Sequence, residues 1–113
     1  MLRILVVCSH NKWRSPTAEA IYRKDKRFHI KSAGLGKLSP HQISLRDIET
    51  SNLILYMEKD HLERIKLLFP NVRLPSAINL DIPDQYCFMD PELIEILREK
   101  IESILVQEAI IIK

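Results

Sequence analysis

Two hydrophobic periods share this chain. Leu2 to Val7 is a nearly unbroken apolar run rich in β-branched residues, the pattern of a strand buried on both faces of a parallel sheet. Ser15 is a candidate N-cap and Pro16 suits the first position of a helix. That helix is expected to run to about Asp25, with Ala18, Ile21 and Tyr22 on the sheet side. Arg23, Lys24, Lys26 and Arg27 then read as a solvated cluster that complements the helix C-terminus. Phe28 to Ala33 is shorter and more alternating, which predicts an edge strand. Gly34 and Gly36 open a loop reaching Pro40. From Ser39 to Thr50 a short helix is expected, carrying Ile43 and Ile48 inward, with Leu45 a further candidate. Leu53 to Met57 predicts a third strand. About Lys59 to Leu68 is an amphipathic helix with Leu62, Ile65, Leu68 and Phe69 at core spacing, ended by Pro70 and Asn71. Between Pro75 and Pro83 only Ala77 to Leu80 reads as strand, and the rest to Met89 is loop. Asp90-Pro91-Glu92 opens a last helix with the buried stripe Leu93, Leu97, Ile101, Ile104 and Leu105. Ala109 to Ile112 is apolar and fits either a prolonged helix or a cover over the core.

Strands alternating with helices predict an α/β fold: a four-stranded parallel sheet with right-handed crossovers and helices on both faces, in three layers. At 113 residues the chain suits a single domain over 1–113. Its formal net charge of +2 is too small to argue for nucleic acid. No apolar run approaches membrane-spanning length, so no membrane partner is expected. The first strand begins at Leu2, where a signal peptide would otherwise lie. The two cysteines, Cys8 and Cys87, are too few for a disulfide framework. A reduced, cytoplasmic protein is expected. No Cys/His spacing suggests zinc, and neither metal nor cofactor is implied.

The chemistry is concentrated in Val6-Val7-Cys8-Ser9-His10-Asn11-Lys12-Trp13-Arg14-Ser15-Pro16. A loop between a buried strand and a helix N-terminus gathers backbone N–H groups without intrahelical partners, and the helix dipole adds positive potential. Such a place binds anions, phosphate above all. A thiol there ionises readily, and an arginine can meet a tetrahedral oxyanion with two parallel hydrogen bonds. Cys8, five residues, then Arg14 thus supply a nucleophile, an oxyanion cradle and a guanidinium clamp. Asn11 suits a left-handed loop position, and Ser15 can hydrogen-bond the Cys8 sulfur.

This stretch resembles the active-site loop of the low-molecular-weight protein tyrosine phosphatases: strand, Cys8, Asn11, Arg14, Ser15, Pro16 and helix, all at the N-terminal end. The resemblance implies a phosphate-binding loop of Cys8, Ser9, His10, Asn11, Lys12, Trp13, Arg14 and Ser15 after the first strand. It also implies that Asn11 is braced by Ser15, Ser32 and His41. Two positions depart from the family: His10 stands where glycine is usual, and Trp13 where many members carry a second cysteine. A disulfide within the loop is therefore not expected, and Trp13 reads as a packing residue beneath or beside the loop. The segment from Gly34 to His41 is shorter than in the family, where that region helps wall the substrate cleft.

The family's proton donor is an aspartate in the loop before the last helix, commonly followed by proline and an aromatic residue. Asp84, Asp90 and Asp81 are the candidates, in that order. Asp90 fits a helix cap, whereas Asp84 lies in the loop with Tyr86 at the matching offset to flank a substrate ring. Cys87, His29 and His61 need no function. The implied activity is hydrolysis of a phosphomonoester, a phosphotyrosine protein or small aryl phosphate, through a phosphocysteine. A phosphate-binding module without catalysis is the alternative. Arsenate reduction ranks lower, because only Cys87 is left to resolve an arsenylated thiol.

Overall fold

The computed structural model describes residues 1–107; the apolar segment Ala109 to Ile112 lies outside them. Four strands, β1 (Leu2–Cys8), β2 (Phe28–Gly34), β3 (Leu53–Tyr56) and β4 (Ser76–Asn79), form one sheet in the order β2-β1-β3-β4. All neighbours run parallel. The helices are α1 (Arg14–Tyr22), α2 (Leu45–Glu49), α3 (Lys59–Leu68) and α4 (Pro91–Gln107).

Successive side chains of a strand point to opposite faces, and β1 therefore feeds two cores. Ile4, Val6 and Cys8 pack with Ala18 and Tyr22 of α1 and with Leu93, Leu97 and Ile101 of α4. Leu5 and Val7 pack with Ile48 of α2 and Ile65 of α3 on the other face. This is the expected three-layer arrangement, with β2 at an edge as its alternation predicted.

Three local expectations change. First, α1 starts at Arg14, with Trp13 at the N-cap making no side-chain cap bond, and ends at Tyr22. Ser15 is thus inside the helix, and its hydroxyl is engaged below the loop. Second, the helix expected from Ser39 shrinks to five residues. The preceding backbone folds onto the end of β2 instead, through Gly34 N–H to His41 O at 2.9 Å and Ile43 N–H to Gly34 O at 2.9 Å. Ser44 then caps α2 reciprocally with Asp47. Ile43 is buried before the helix begins, while Leu45 is exposed. Third, Leu68 is exposed, because the core side of α3 is set by His61 and Ile65.

The strand order reverses direction around β1: the chain crosses from β1 to β2 on one side, then returns past β1 to β3. Ligands in open α/β sheets bind beyond the carboxyl ends of strands at such a switch point. Here the segments following β1 and β3 meet.

Candidate active site

Cys8 ends β1 and is buried, and the chain then turns through Ser9 to Trp13 before α1 begins. Asn11 adopts φ 53°, a left-handed conformation that asparagine tolerates better than most residues. Below the loop, the continuation of β2 pairs with it: Leu35 N–H donates to Cys8 O at 3.1 Å and Gly36 N–H to Ser9 O at 2.9 Å. Gly34 is required by this close approach, since a Cβ there would lie 2.8 Å from the Asn11 nitrogen.

The side chain of Asn11 ties these layers together. Its Nδ2 donates to Ser15 Oγ and to Ser32 Oγ, each at 3.1 Å, and its Oδ1 accepts from the backbone N–H of His41 at 3.1 Å. Ser32 in turn donates to Glu19. Ser15 Oγ, accepting from Asn11, lies 3.0 Å from the Cys8 sulfur, and its own proton has that sulfur and Ala33 O, at 3.4 Å, as acceptors. Asn11, Ser15, Ser32 and His41 are therefore brought together, but His41 acts through its main chain. Its imidazole bonds Asp47 at 2.8 Å. Burial raises the Asp47 carboxyl, yet hydrogen bonds from Lys31, Ser44 and His41 outweigh it and hold this group below the ordinary carboxylate range.

Arg14 is 1% exposed, an unusual place for a guanidinium unless it is paired. Its Nη1 donates to Glu58 Oε2 at 2.6 Å and to Ile82 O at 2.8 Å, and its Nη2 lies 3.4 Å from Ser9 Oγ. Among the described residues the Nε–H has no hydrogen-bond partner. Asp84 Oδ1 stands 3.6 Å from that nitrogen. Cys8, His10, Lys12, Trp13, Arg14 and Asp84 line one cavity of about 100 Å³. It holds a buried sulfur, an unsatisfied guanidinium donor and a carboxylate within one small volume.

The other acid candidates lie elsewhere. Asp90 Oδ1 accepts from Glu92 N–H at 2.8 Å, capping α4. Asp81 is exposed and lines a different depression beside β4 and α4. Tyr86 does not flank the cavity as expected: it is buried in the core and its hydroxyl donates to Glu92 at 3.1 Å. Trp13 also departs from its expected packing role, being 41% exposed at the cavity wall.

Two residues were missed. Glu58 follows β3 and holds Arg14. His61, to which the sequence assigns no function, is 1% exposed. Its Nδ1 accepts from the N–H groups of Met57 at 3.3 Å and Glu58 at 3.2 Å, which leaves the proton on Nε2, 3.0 Å from Ser9 Oγ. Burial holds its pKa below the ordinary histidine value against the pull of Glu58, and the Arg14 charge adds to the lowering. Glu58, Asp60 and His61 present donors within 4.8 Å of one another, but both His61 nitrogens are engaged by protein groups and offer no lone pair to a cation. The signal available in the sequence was Met57-Glu58 directly after an apolar strand, with His61 in the first turn of the helix.

No family model matches the sequence. It is 34% identical over 116 positions to the low-molecular-weight protein-tyrosine-phosphatase Wzb of Escherichia coli K12, covering 74% of this chain and 77% of that protein. It is 38% identical to the Wzb of Salmonella typhimurium, covering 74% and 76%. An alignment of 116 positions exceeds the 113 residues of the whole chain, so the relative carries residues that this chain lacks. Among solved structures, a low-molecular-weight protein tyrosine phosphatase from Streptococcus pyogenes superposes with TM-score 0.79 at 18% identity, covering 95% of this chain and 93% of that one. Wzb from Escherichia coli K30 superposes with TM-score 0.65 at 25% identity, covering 91% and 96%. With a cysteine-to-arginine loop at the switch point of a four-stranded parallel sheet and these relatives along most of its length, the chain belongs to the low-molecular-weight protein tyrosine phosphatase family.

Proposed function

We propose that this phosphatase hydrolyses aryl phosphomonoesters, phosphotyrosine in a protein or a small aryl phosphate, with Cys8 as nucleophile, Arg14 as oxyanion clamp and Asp84 as general acid. The Cys8 sulfur attacks phosphorus, and the bond from phosphorus to the ester oxygen breaks. The Asp84 carboxylic acid gives its proton to the departing oxygen. Without that proton the leaving group would be a phenoxide, whose conjugate acid has a pKa of about 10. Water then attacks the phosphocysteine while the Asp84 carboxylate takes its proton, the S–P bond breaks, and inorganic phosphate leaves.

The observation that carries this reading is the shared cavity: Cys8, the bare Nε–H of Arg14 and Asp84 line the same volume. Loop N–H groups and the guanidinium would hold the equatorial oxygens, where fixed donors act most strongly on developing charge. Of the three acids considered, Asp84 lines that cavity and Asp90 is engaged at a helix cap.

The test is turnover of para-nitrophenyl phosphate and of a phosphotyrosine peptide by the wild type and by Cys8→Ser. Loss of about 10⁴-fold or more in kcat is expected, as for removal of a nucleophile that acts as one unit with its neighbours. Phosphate binding without turnover in the wild type would return the protein to the alternative of a binding module.

A further inference from the structure

We propose that His61 is a positioning residue for the phosphate loop, fixing Ser9 and, through Ser9 and Glu58, the pose of Arg14. The proposal rests on the phosphatase reading above and concerns how that loop is kept in shape.

Ser9 is the first residue after the cysteine, and its backbone is held by Gly36. Its side chain would otherwise be free to choose among three rotamers. His61 Nε2–H removes that freedom, donating to Ser9 Oγ at 3.0 Å, and in this pose Oγ also faces Arg14 Nη2 at 3.4 Å. The imidazole is itself held: its Nδ1 accepts two backbone N–H groups at the turn from β3 into α3, at 3.3 and 3.2 Å. That same turn carries Glu58, whose carboxylate takes Arg14 Nη1 at 2.6 Å.

One ring thus joins the segment after β3 to the loop after β1, across 52 residues of sequence. The guanidinium is gripped on Nη1 by Glu58 and Ile82, and approached on Nη2 by Ser9. Among the described residues its Nε–H has no hydrogen-bond partner, and it lies next to the cavity. A clamp must hold such a donor in place before substrate arrives, since reorganisation during the reaction would forfeit the stabilisation.

The two jobs of His61 can be separated by substitution. Asparagine places an acceptor near the Nδ1 position but no donor within reach of Ser9. Glutamine places an amide donor near the Nε2 position but takes the acceptor away from the β3–α3 turn. His61→Asn should therefore keep a thermal midpoint near wild type while kcat falls ~3- to 10-fold, the range of one net hydrogen bond. The inhibition constant for inorganic phosphate should rise by a similar factor. His61→Gln should melt earlier yet turn over within about 2-fold of wild type while folded. Ser9→Ala, which leaves α3 intact, should match His61→Asn, and the double variant should be no worse than either single one.

Wild-type kcat and phosphate inhibition in His61→Asn would overturn the proposal. So would additive losses in the double variant, because His61 and Ser9 would then act independently. Failure of the phosphatase reading would look different: Cys8→Ser would keep its turnover.

Discussion

The loop after β1 and the loop before α4 both line the cavity, and they are built in opposite ways. In the first, Cys8, Asn11, Arg14 and Ser15 are all buried and all hydrogen-bonded. In the second, the backbone is anchored at Ile82, whose carbonyl takes Arg14, and at Met89, whose N–H donates to Thr17 Oγ1 at 2.9 Å. Tyr86 adds a buried anchor between them. Asp84, however, is 40% exposed and makes no hydrogen bond among the described residues; its nearest charge is Arg14 Nε at 3.6 Å. The groups proposed to match an oxyanion are locked in place. The group proposed to release and regain a proton is carried by a fixed frame and left open to water.

The sharpest way to break this contrast is at Arg14. Lysine keeps the charge but loses the planar fork, and it leaves Glu58 and the Ile82 carbonyl without their partner. Arg14→Lys should lower kcat/KM for para-nitrophenyl phosphate on the order of 10³-fold, at the upper end for loss of a preorganised donor. Near-normal turnover would show that the buried loop is scaffolding and does not grip phosphate.

Asp84→Asn addresses the open side of the comparison. Its kcat should fall ~10²-fold for phosphotyrosine, whose leaving oxygen needs a proton, and much less for para-nitrophenyl phosphate. Its thermal midpoint should stay near wild type, because the carboxylate has no hydrogen bond to lose. A large drop in stability with an equal loss for both substrates would mean that Asp84 belongs to the locked class after all.

Asn11→Ala should show both effects at once. Removing the amide leaves Ser15 and Ser32 without a donor and the His41 N–H without an acceptor. Unfolding free energy should fall by about 1–3 kcal/mol, the cost of stranding buried polar groups, as read from urea titration. Activity of the folded fraction should fall by about 10-fold as Ser15 and Cys8 lose their brace. A fall in activity with unchanged stability would place Asn11 with Asp84, as a group acting on substrate alone.

How far the sequence discloses each region follows from chain distance. Cys8 to Ser15 is one continuous stretch whose strand, turn and helix are set by local preferences, so the proposed nucleophile and its arginine can be read directly. Ser32 and His41 enter through resemblance, and which part of His41 would serve depends on how the chain refolds after Gly34. Glu58 and His61 leave only a faint local mark, their place directly after the apolar third strand. On a helical period His61 reads as one polar position among charges, and only the meeting of the β1 and β3 segments turns it inward. Tyr86 misled for the converse reason: an aromatic two residues from Asp84 has the right offset, but whether it faces a cavity or α4 is decided by Glu92 and the core. The α1 boundary slipped because Ser15 and Pro16 look like a helix start, whereas the helix begins two residues earlier, at Arg14, and the serine hydroxyl is engaged below the loop.

The smallest expected effect falls at Asp90, and it tests whether the two acids of the second loop differ in kind. Asp90 Oδ1 accepts the Glu92 N–H at 2.8 Å, and its backbone carbonyl accepts the N–H of Ile94 at 2.9 Å. The side chain therefore satisfies one of the N–H groups that a helix start leaves without partners. Asparagine offers the same acceptor, so Asp90→Asn should shift stability by no more than a few tenths of a kcal/mol, while Asp90→Ala should cost about 1 kcal/mol. For a domain of this size, that is roughly 4 °C in Tm. Neither variant should make the rate depend on the leaving group, because the carboxylate is committed to the helix and does not line the cavity. Measuring kcat for phosphotyrosine and para-nitrophenyl phosphate beside thermal unfolding separates the cases. If Asp90→Asn slows phosphotyrosine selectively and Asp84→Asn does not, the proton comes from the capped residue, and exposure would be no guide to which acid is free to give it up.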